Sequence, residues 1–399
     1  MRLTQMDTIL IRMLYLAAAG IVVTTVLSVD SVASLLFSAT FILVVLLWCA
    51  GALRSVIWTD AVLILMVGLA LSHVILNAWF QGTPVSFAYF KKYFMFICTL
   101  VYFQAAYKLR IDEKTEKFLL TVNSALALFF AAYYLSHRIE VYMLNGIVTN
   151  YLTFGFTNPN LTALFLMCAY TGQLVQIARN RQFFPRLLHL ILAAAVCWFI
   201  WETKSRNCMI TVSLVTGMCV LLYLTKHGFR LPGWFSLLIS VWPIMFAVAY
   251  VVLVRNPQIQ SIFSFLVSSG KNLDARLSVW LPALQYYAGS PILGAYSQIS
   301  KGSGMSQMHN THLDILVSYG TVILILTCYL LHSVIRSADG ENMKEETMVR
   351  LCFCGTIIMG MGEAALFSGG LGIYLFAGMF LLLCNRDRSE AGESNRIGG

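Results

Sequence analysis

Near the end of the longest polar stretch of this 399-residue chain, His309-Asn310-Thr311-His312 supplies the side chains best suited to proton transfer. An imidazole with an ordinary pKa of about 6.5 can take a proton from a hydroxyl at neutral pH. Two histidines three apart can also ligate a metal, with Asp314 nearby. The face that would hold His309 and His312 offers no carboxylate in phase, and no other polar stretch adds a His or Cys cluster, so neither metal nor cofactor is expected. Leu313, Ile315, Leu316 and Val317 follow at once, which places the cluster at a helix start.

Two further stretches could hold an anion. In Glu202-Thr203-Lys204-Ser205-Arg206-Asn207, the Arg206 guanidinium can grip a phosphate with two hydrogen bonds and Lys204 adds a point charge. An ion pair of Glu202 with Arg206, closing a helical hairpin, is the plainer reading. In Asp274-Ala275-Arg276-Leu277-Ser278-Val279-Trp280, a cation opens a helix whose dipole disfavours it. A bound phosphate would satisfy both the cation and the helix end; a surface pair of Asp274 with Arg276 is the alternative.

The elements that must position these residues are membrane helices. The chain is 59% hydrophobic and only 11% charged, with a mean hydropathy of +0.76, whereas soluble domains carry about 25% charged residues. Continuous apolar runs, each long enough to cross a hydrocarbon core about 30 Å thick, imply helices rather than a barrel. The expected fold is an all-α polytopic membrane protein, a single domain over 1–399 with about twelve spans. They fall near 8–28, 31–53, 57–79, 86–107, 115–137, 158–178, 184–202, 207–226, 234–254, 312–335, 347–367 and 370–385.

Lys and Arg bias sets the orientation. With both termini cytoplasmic, inner ends collect Arg2, Arg54, Lys108, Arg110, Lys114, Lys117, Arg179, Arg181, Arg186, Lys226, Arg230, Arg336, Lys344, Arg350, Arg386, Arg388 and Arg396. The exceptions are Arg138, Lys204, Arg206, Arg255, Lys271, Arg276 and Lys301 outside, with Lys91 and Lys92 beside the fourth span. Cations set against the bias fit the binding of an anion. Two outer connections are long, 136–160 and 255–311. The second is the large extracytoplasmic loop, and its apolar pieces at Ile259–Val267 and Arg276–Tyr287 predict two short interfacial helices before a Gly/Ser-rich turn over Gly289–Gly304.

Other classes are excluded. The net charge of +9 is spread in short clusters between apolar runs, which fits topology and anionic lipid headgroups and not nucleic acid. Nine of the ten cysteines lie in apolar runs, so no disulfide framework is expected, and Cys352 and Cys354 point to different faces of one helix. The run Ile9–Leu27 lacks a small-residue cleavage site and reads as a retained helix. No phosphate-cradling glycine motif of nucleotide-binding proteins occurs, nor an Asp-x-Asp pair of sugar-nucleotide transferases.

Four features in this order resemble the O-antigen ligase and O-antigen polymerase superfamily. They are Ser205-Arg206 in a short outer turn, Arg276-x-x-x-Trp280 in a large late outer loop, Pro291-Ile292-Leu293-Gly294, and His309-Asn310-x-x-Leu313 running on to Gly320. The resemblance covers about half the chain, from about Asn158 to Gly320; Gly294-Ala295-Tyr296 departs from the usual Gly-x-Gly. It implies a GT-C-like glycosyltransferase, inverting and metal-independent, whose donor is an undecaprenyl-pyrophosphate-linked glycan. Arg206 and Arg276 would then hold the donor pyrophosphate, and His309 would activate the acceptor hydroxyl. Lys204, Asn310, Trp280 and His312 would line the substrate site, Asn310 orienting His309 or a sugar, and His312 in a supporting or purely structural role.

Within that resemblance the expected protein is a polysaccharide polymerase of a bacterial cytoplasmic (inner) membrane, active on its extracytoplasmic face. Its partners would be lipid-linked donor, glycan acceptor, membrane lipids and other polysaccharide-assembly proteins. A ligase moving the glycan onto lipid A core or a protein would share the donor site. A flippase of lipid-linked sugars would need ionisable groups near the midplane, where only His73, His189 and Glu363 offer themselves. A peptidoglycan glycosyltransferase would lean on Asp274, the one acid between Arg255 and His309. The orientation is directly testable: an alkaline phosphatase reporter, active only outside the cytoplasm, should be active when inserted at Gly302 and silent when fused at either terminus.

Overall fold

A computed structural model describes residues 5–52, 58–81, 87–136, 140–144, 147–156, 158–225, 232–254, 256, 258, 274–295, 308–337, 344–363 and 379–384. The helices are α1 (Gln5–Val26), α2 (Asp30–Ala52), α3 (Trp58–Gln81), α4 (Phe87–Lys108), α5 (Glu113–Ser136), α6 (Pro159–Arg179), α7 (Phe183–Glu202), α8 (Arg206–Leu224) and α9 (Gly233–Val254). They are followed by α10 (Asp274–Ala288), α11 (Thr311–Tyr319), α12 (Thr321–Ser337) and α13 (Lys344–Met359), and 379–384 is again helical. Seven helices, α1, α2 and α5 to α9, are long and apolar enough to cross a membrane. The helical membrane architecture expected from the apolar runs is therefore present.

Three departures matter. A two-stranded antiparallel hairpin, β1 (Glu140–Leu144) with β2 (Ile147–Tyr151), occupies the connection after α5, pairing Glu140 with Tyr151 and Leu144 with Ile147. The expected span 312–335 is not one helix: it breaks at Gly320 into α11 and α12. The span expected over 347–367 ends as a helix at Met359 and continues as turns to Glu363. Of the two helices expected in the large loop, the second is present as α10; 259–267 and most of 289–304 lie outside the described residues.

Helix α6 is the axis of the bundle, with 78% of its span buried, against 17% for α2. It packs on α5, α7, α8 and α13. Its start is fixed by local chemistry: Pro159 sits where a missing N–H costs nothing, and the Asn158 side chain accepts from the Asn160 N–H. Its far end carries Arg179, which pairs with Glu116 of α5 and, at 3.9 Å, with Glu345 of α13. Lys108 of α4 and Asp60 of α3 form a second buried pair at 2.5 Å, and Gln104 donates to both Thr59 and Asp60. Such pairs add little net stability, because desolvation offsets attraction, but breaking one strands a buried charge.

The main apolar core joins α1, α4, α5, α6, α8, α12 and α13. A smaller one gathers Ala247 and Tyr250 of α9, Val279, Trp280 and Ala283 of α10, and Met308, Leu313 and Val317. Trp280 is fully buried, its ring 5.3 Å from that of Tyr250, so the face of α10 that bears it packs on protein. The end of α10 is tied to the start of α12, where the Tyr287 and Thr321 hydroxyls meet at 2.5 Å, and the chain after α10 is tied to α11, where the Ala295 N–H donates to the Val317 carbonyl.

Gly320 makes the break between α11 and α12 possible. Its φ of 88° is left-handed, and a Cβ there would run into the Ile292 carbonyl. Gly320→Ala should lower thermal stability by about 1–3 kcal/mol, read as a drop in melting midpoint of the purified protein. Gly217→Ala in α8, where a Cβ meets nothing within 4 Å, should leave the midpoint unchanged or raise it slightly.

Candidate functional site

The site is built around the last turn of α13. Three successive N–H groups fold back three residues, Gly360 to Ile357, Met361 to Ile358 and Gly362 to Met359. The five carbonyls from Met359 to Glu363 each accept a hydrogen bond from another element, which for Met359 is a second bond besides that from Gly362. Asn207 of α8 donates to Met359 at 2.7 Å. The Thr311 N–H donates to Gly360 at 2.8 Å, and Asn310 Nδ2 to Met361 at 3.0 Å. Arg276 of α10 donates to Gly362 at 3.2 Å, and Thr311 Oγ1 to Glu363 at 2.9 Å. Gly362 is needed for this approach, since a Cβ would lie 2.6 Å from Asn207 Nδ2.

His309 stands against this turn. Its Nδ1 lies 3.1 Å from Glu363 Oε2, and Glu363 Oε1 accepts from Asn160 Nδ2 of α6 at 2.6 Å. The imidazole keeps 39% of its surface exposed, whereas Glu363 keeps 10%. The hydrogen bond to Glu363 raises the His309 pKa above its ordinary value; burial and the Arg276 charge work the other way, and Asp314 adds a smaller upward push. Unlike its neighbours, His309 has a left-handed backbone, with φ of 48°.

Asn310 anchors the stretch. Its side-chain oxygen caps α11 by accepting from the Leu313 N–H at 2.9 Å, and its Nδ2 donates to Pro243 at 2.8 Å as well as to Met361. Pro243 is the eleventh of the twenty-two residues of α9, so the Asn310 side chain meets that helix near its middle. His312 Nε2 donates to the Ser240 carbonyl at 2.7 Å, one turn earlier on α9. Trp280 Nε1 donates to the Met308 carbonyl at 2.6 Å, and Trp242 Nε1 meets the Met361 sulfur at 3.3 Å.

The residues singled out in the sequence thus divide. His309 and Arg276 meet at the turn, and Arg206 opens α8 immediately before Asn207, which touches Met359 and packs on Gly362. Arg206 is exposed at this helix N-terminus. Lys204 is exposed with φ of 53°, its ammonium 5.1 Å from the Tyr151 ring centroid. Trp280, Asn310 and His312, expected to line the substrate site, are fully buried with polar atoms on main-chain carbonyls. They frame the site instead of offering contact surface. His312 also turns away from His309, and among the described residues no three His, Cys, Asp or Glu side chains form a metal-ligand set.

Glu363, Asn160 and Asn207 were not foreseen as neighbours of His309. The signal for Glu363 was a lone acid after Met359-Gly360-Met361-Gly362 in an otherwise apolar run. Two glycines so close predict a helix end better than a continued span. Three helix N-termini, those of α6, α8 and α11, reach this turn through Asn160, Asn207 and Thr311. Their partial positive charges, with Arg206 and Arg276, favour an anion here.

Comparison with known family models finds no match to this chain, and comparison with curated proteins finds none either.

The frame and the surface of the site should separate experimentally. Asn310→Ala removes a cap and the side-chain donor to the Met361 carbonyl, so it should cost about 2–4 kcal/mol, measured as a lower melting midpoint. Lys204→Ala, at an exposed side chain, should change the midpoint by less than about 0.5 kcal/mol equivalent.

Proposed function

We propose that this chain is a polysaccharide polymerase, transferring an undecaprenyl-pyrophosphate-linked glycan onto a hydroxyl of a lipid-linked repeat unit. In this reading the remaining apolar runs bring the spans to about twelve. The site faces the outer side of a bacterial cytoplasmic membrane, under the large loop. The observation that carries the reading is the meeting of an accessible imidazole, Arg276 and the Arg206 end of α8 on one five-residue turn. A base and paired guanidiniums beside converging helix N-termini suit a reaction whose leaving group is a pyrophosphate.

The chemistry follows from those roles. His309 takes the proton of the acceptor hydroxyl as its oxygen attacks the anomeric carbon of the donor sugar. The bond from that carbon to the pyrophosphate oxygen breaks, and undecaprenyl pyrophosphate departs from the opposite face, which inverts the anomeric configuration. Negative charge grows on the leaving oxygen during the step. Arg206 and Arg276 stabilise that growing charge more than the starting diester charge, and such differential stabilisation raises the rate.

The test is purified protein in proteoliposomes with a defined undecaprenyl-pyrophosphate-linked repeat unit. A ladder of lengthening glycans is expected, and His309→Ala and Arg276→Ala should each lower it about a hundredfold or more. A single transfer to added lipid A core would replace polymerase by ligase. Undiminished product from both variants would sink the enzyme reading altogether.

A further inference from the structure

We propose that Glu363 is the positioning residue for His309: its carboxylate holds the imidazole by Nδ1 and leaves Nε2 as the atom that takes the acceptor proton. The proposal rests on the reading of His309 as the base. Its geometry is independent of that reading. The carboxylate has both oxygens engaged, Oε2 with His309 Nδ1 at 3.1 Å and Oε1 with Asn160 Nδ2 at 2.6 Å, and its own carbonyl accepts from Thr311 Oγ1 at 2.9 Å. Three elements, α6, the turn after α13 and the start of α11, therefore fix where the acid can stand. A carboxylate that accepts from Nδ1–H selects the tautomer with a free Nε2 lone pair.

The groups facing His309 are Glu363 from the turn after α13, Arg276 from α10 and Asp314 from α11. Among the described residues, Glu363 hydrogen-bonds the ring. When Nε2 takes the hydroxyl proton the ring becomes an imidazolium, and the carboxylate beside Nδ1 stabilises that cation without accepting the proton itself. The proton leaves from Nε2 to solvent after the product departs, and 39% exposure of the ring gives it a route. The carboxylate is little exposed, so water screens the pair weakly. The neutral, active form of His309 should therefore prevail only above a pH displaced upward from about 6.5.

The experiment compares wild type with Glu363→Gln and Glu363→Asp, as full chains in nanodiscs. In Glu363→Gln the acid limb of the pH–rate profile should move down, and kcat should fall on the order of tenfold with KM for the lipid-linked donor nearly unchanged. Glu363→Asp, which keeps the charge, should hold the limb near its wild-type position while kcat still falls. A parallel titration of His309 by NMR on imidazole-labelled protein, identified by its loss in His309→Asn, should move with the limb. An unmoved titration in Glu363→Gln overturns the positioning role even if His309→Ala is inactive. Full activity of His309→Ala overturns the base reading even if the titration moves. Should Glu363→Gln fail to fold, the wild-type titration decides: a His309 that titrates at or below an ordinary imidazole overturns the pairing.

Discussion

The site depends on a run of carbonyls at a helix end, four of which, Gly360 to Glu363, take their donors from other elements. An α-helix leaves its last carbonyls without intrahelical donors, and inside a membrane-spanning bundle water is not freely available to replace them. At the end of α13 the chain is tightened by three i to i−3 bonds, and the carbonyls of Met359 to Glu363 are met by donors from α8, α10 and the start of α11. Each bond contributes about 1 kcal/mol net, but an unmet carbonyl would cost about 1–3 kcal/mol. Correct docking of those elements and a satisfied turn are thus the same condition. The residues that could do chemistry are neighbours of the donors: Arg206 precedes Asn207, His309 precedes Asn310, and Arg276 is a donor itself.

Charge is arranged along the same axis. Arg179 at one end of α6 is neutralised by Glu116 and Glu345, whereas at the other end Asn160 meets the carboxylate of Glu363. The first end is a closed ionic contact between α5, α6 and α13. At the second, cations, helix N-termini and one acid remain beside an exposed imidazole.

Sequence patterning made the scaffold legible and the connections between helices less so. Helices α1 to α9 fall on the first nine apolar runs, and seven of them are long and apolar enough to cross a membrane, because continuous apolar runs have few alternatives in a bilayer. The reading of 312–335 as one span missed its break, since apolar residues flank Gly320 on both sides and hydropathy does not register a left-handed φ. The hairpin has a local signal in Asn145-Gly146 between β-branched and aromatic residues, a turn cue that hydropathy does not register. His309 and Arg276 could be singled out from residue type and place. Glu363 could not, because its meaning comes from a turn that brings the 359–363 segment against residues some fifty and two hundred positions away in sequence.

The backbone of His309 shows why the stretch around it is so heavily bonded. Its φ of 48° lies in the left-handed region, which a non-glycine side chain adopts at a cost of roughly 1–2 kcal/mol. The residues on either side bear that cost: Trp280 holds the Met308 carbonyl, and Asn310 caps α11 while donating to α9 and to the turn. With both neighbours pinned and buried, the chain between them has to turn sharply. That turn puts the one unburied side chain of the stretch beside Glu363 and within reach of solvent. His312 and Trp280 therefore matter through the shape they impose on His309, since their own polar atoms are taken up by carbonyls. Strain held by an over-determined frame keeps a reactive group in one place without burying it.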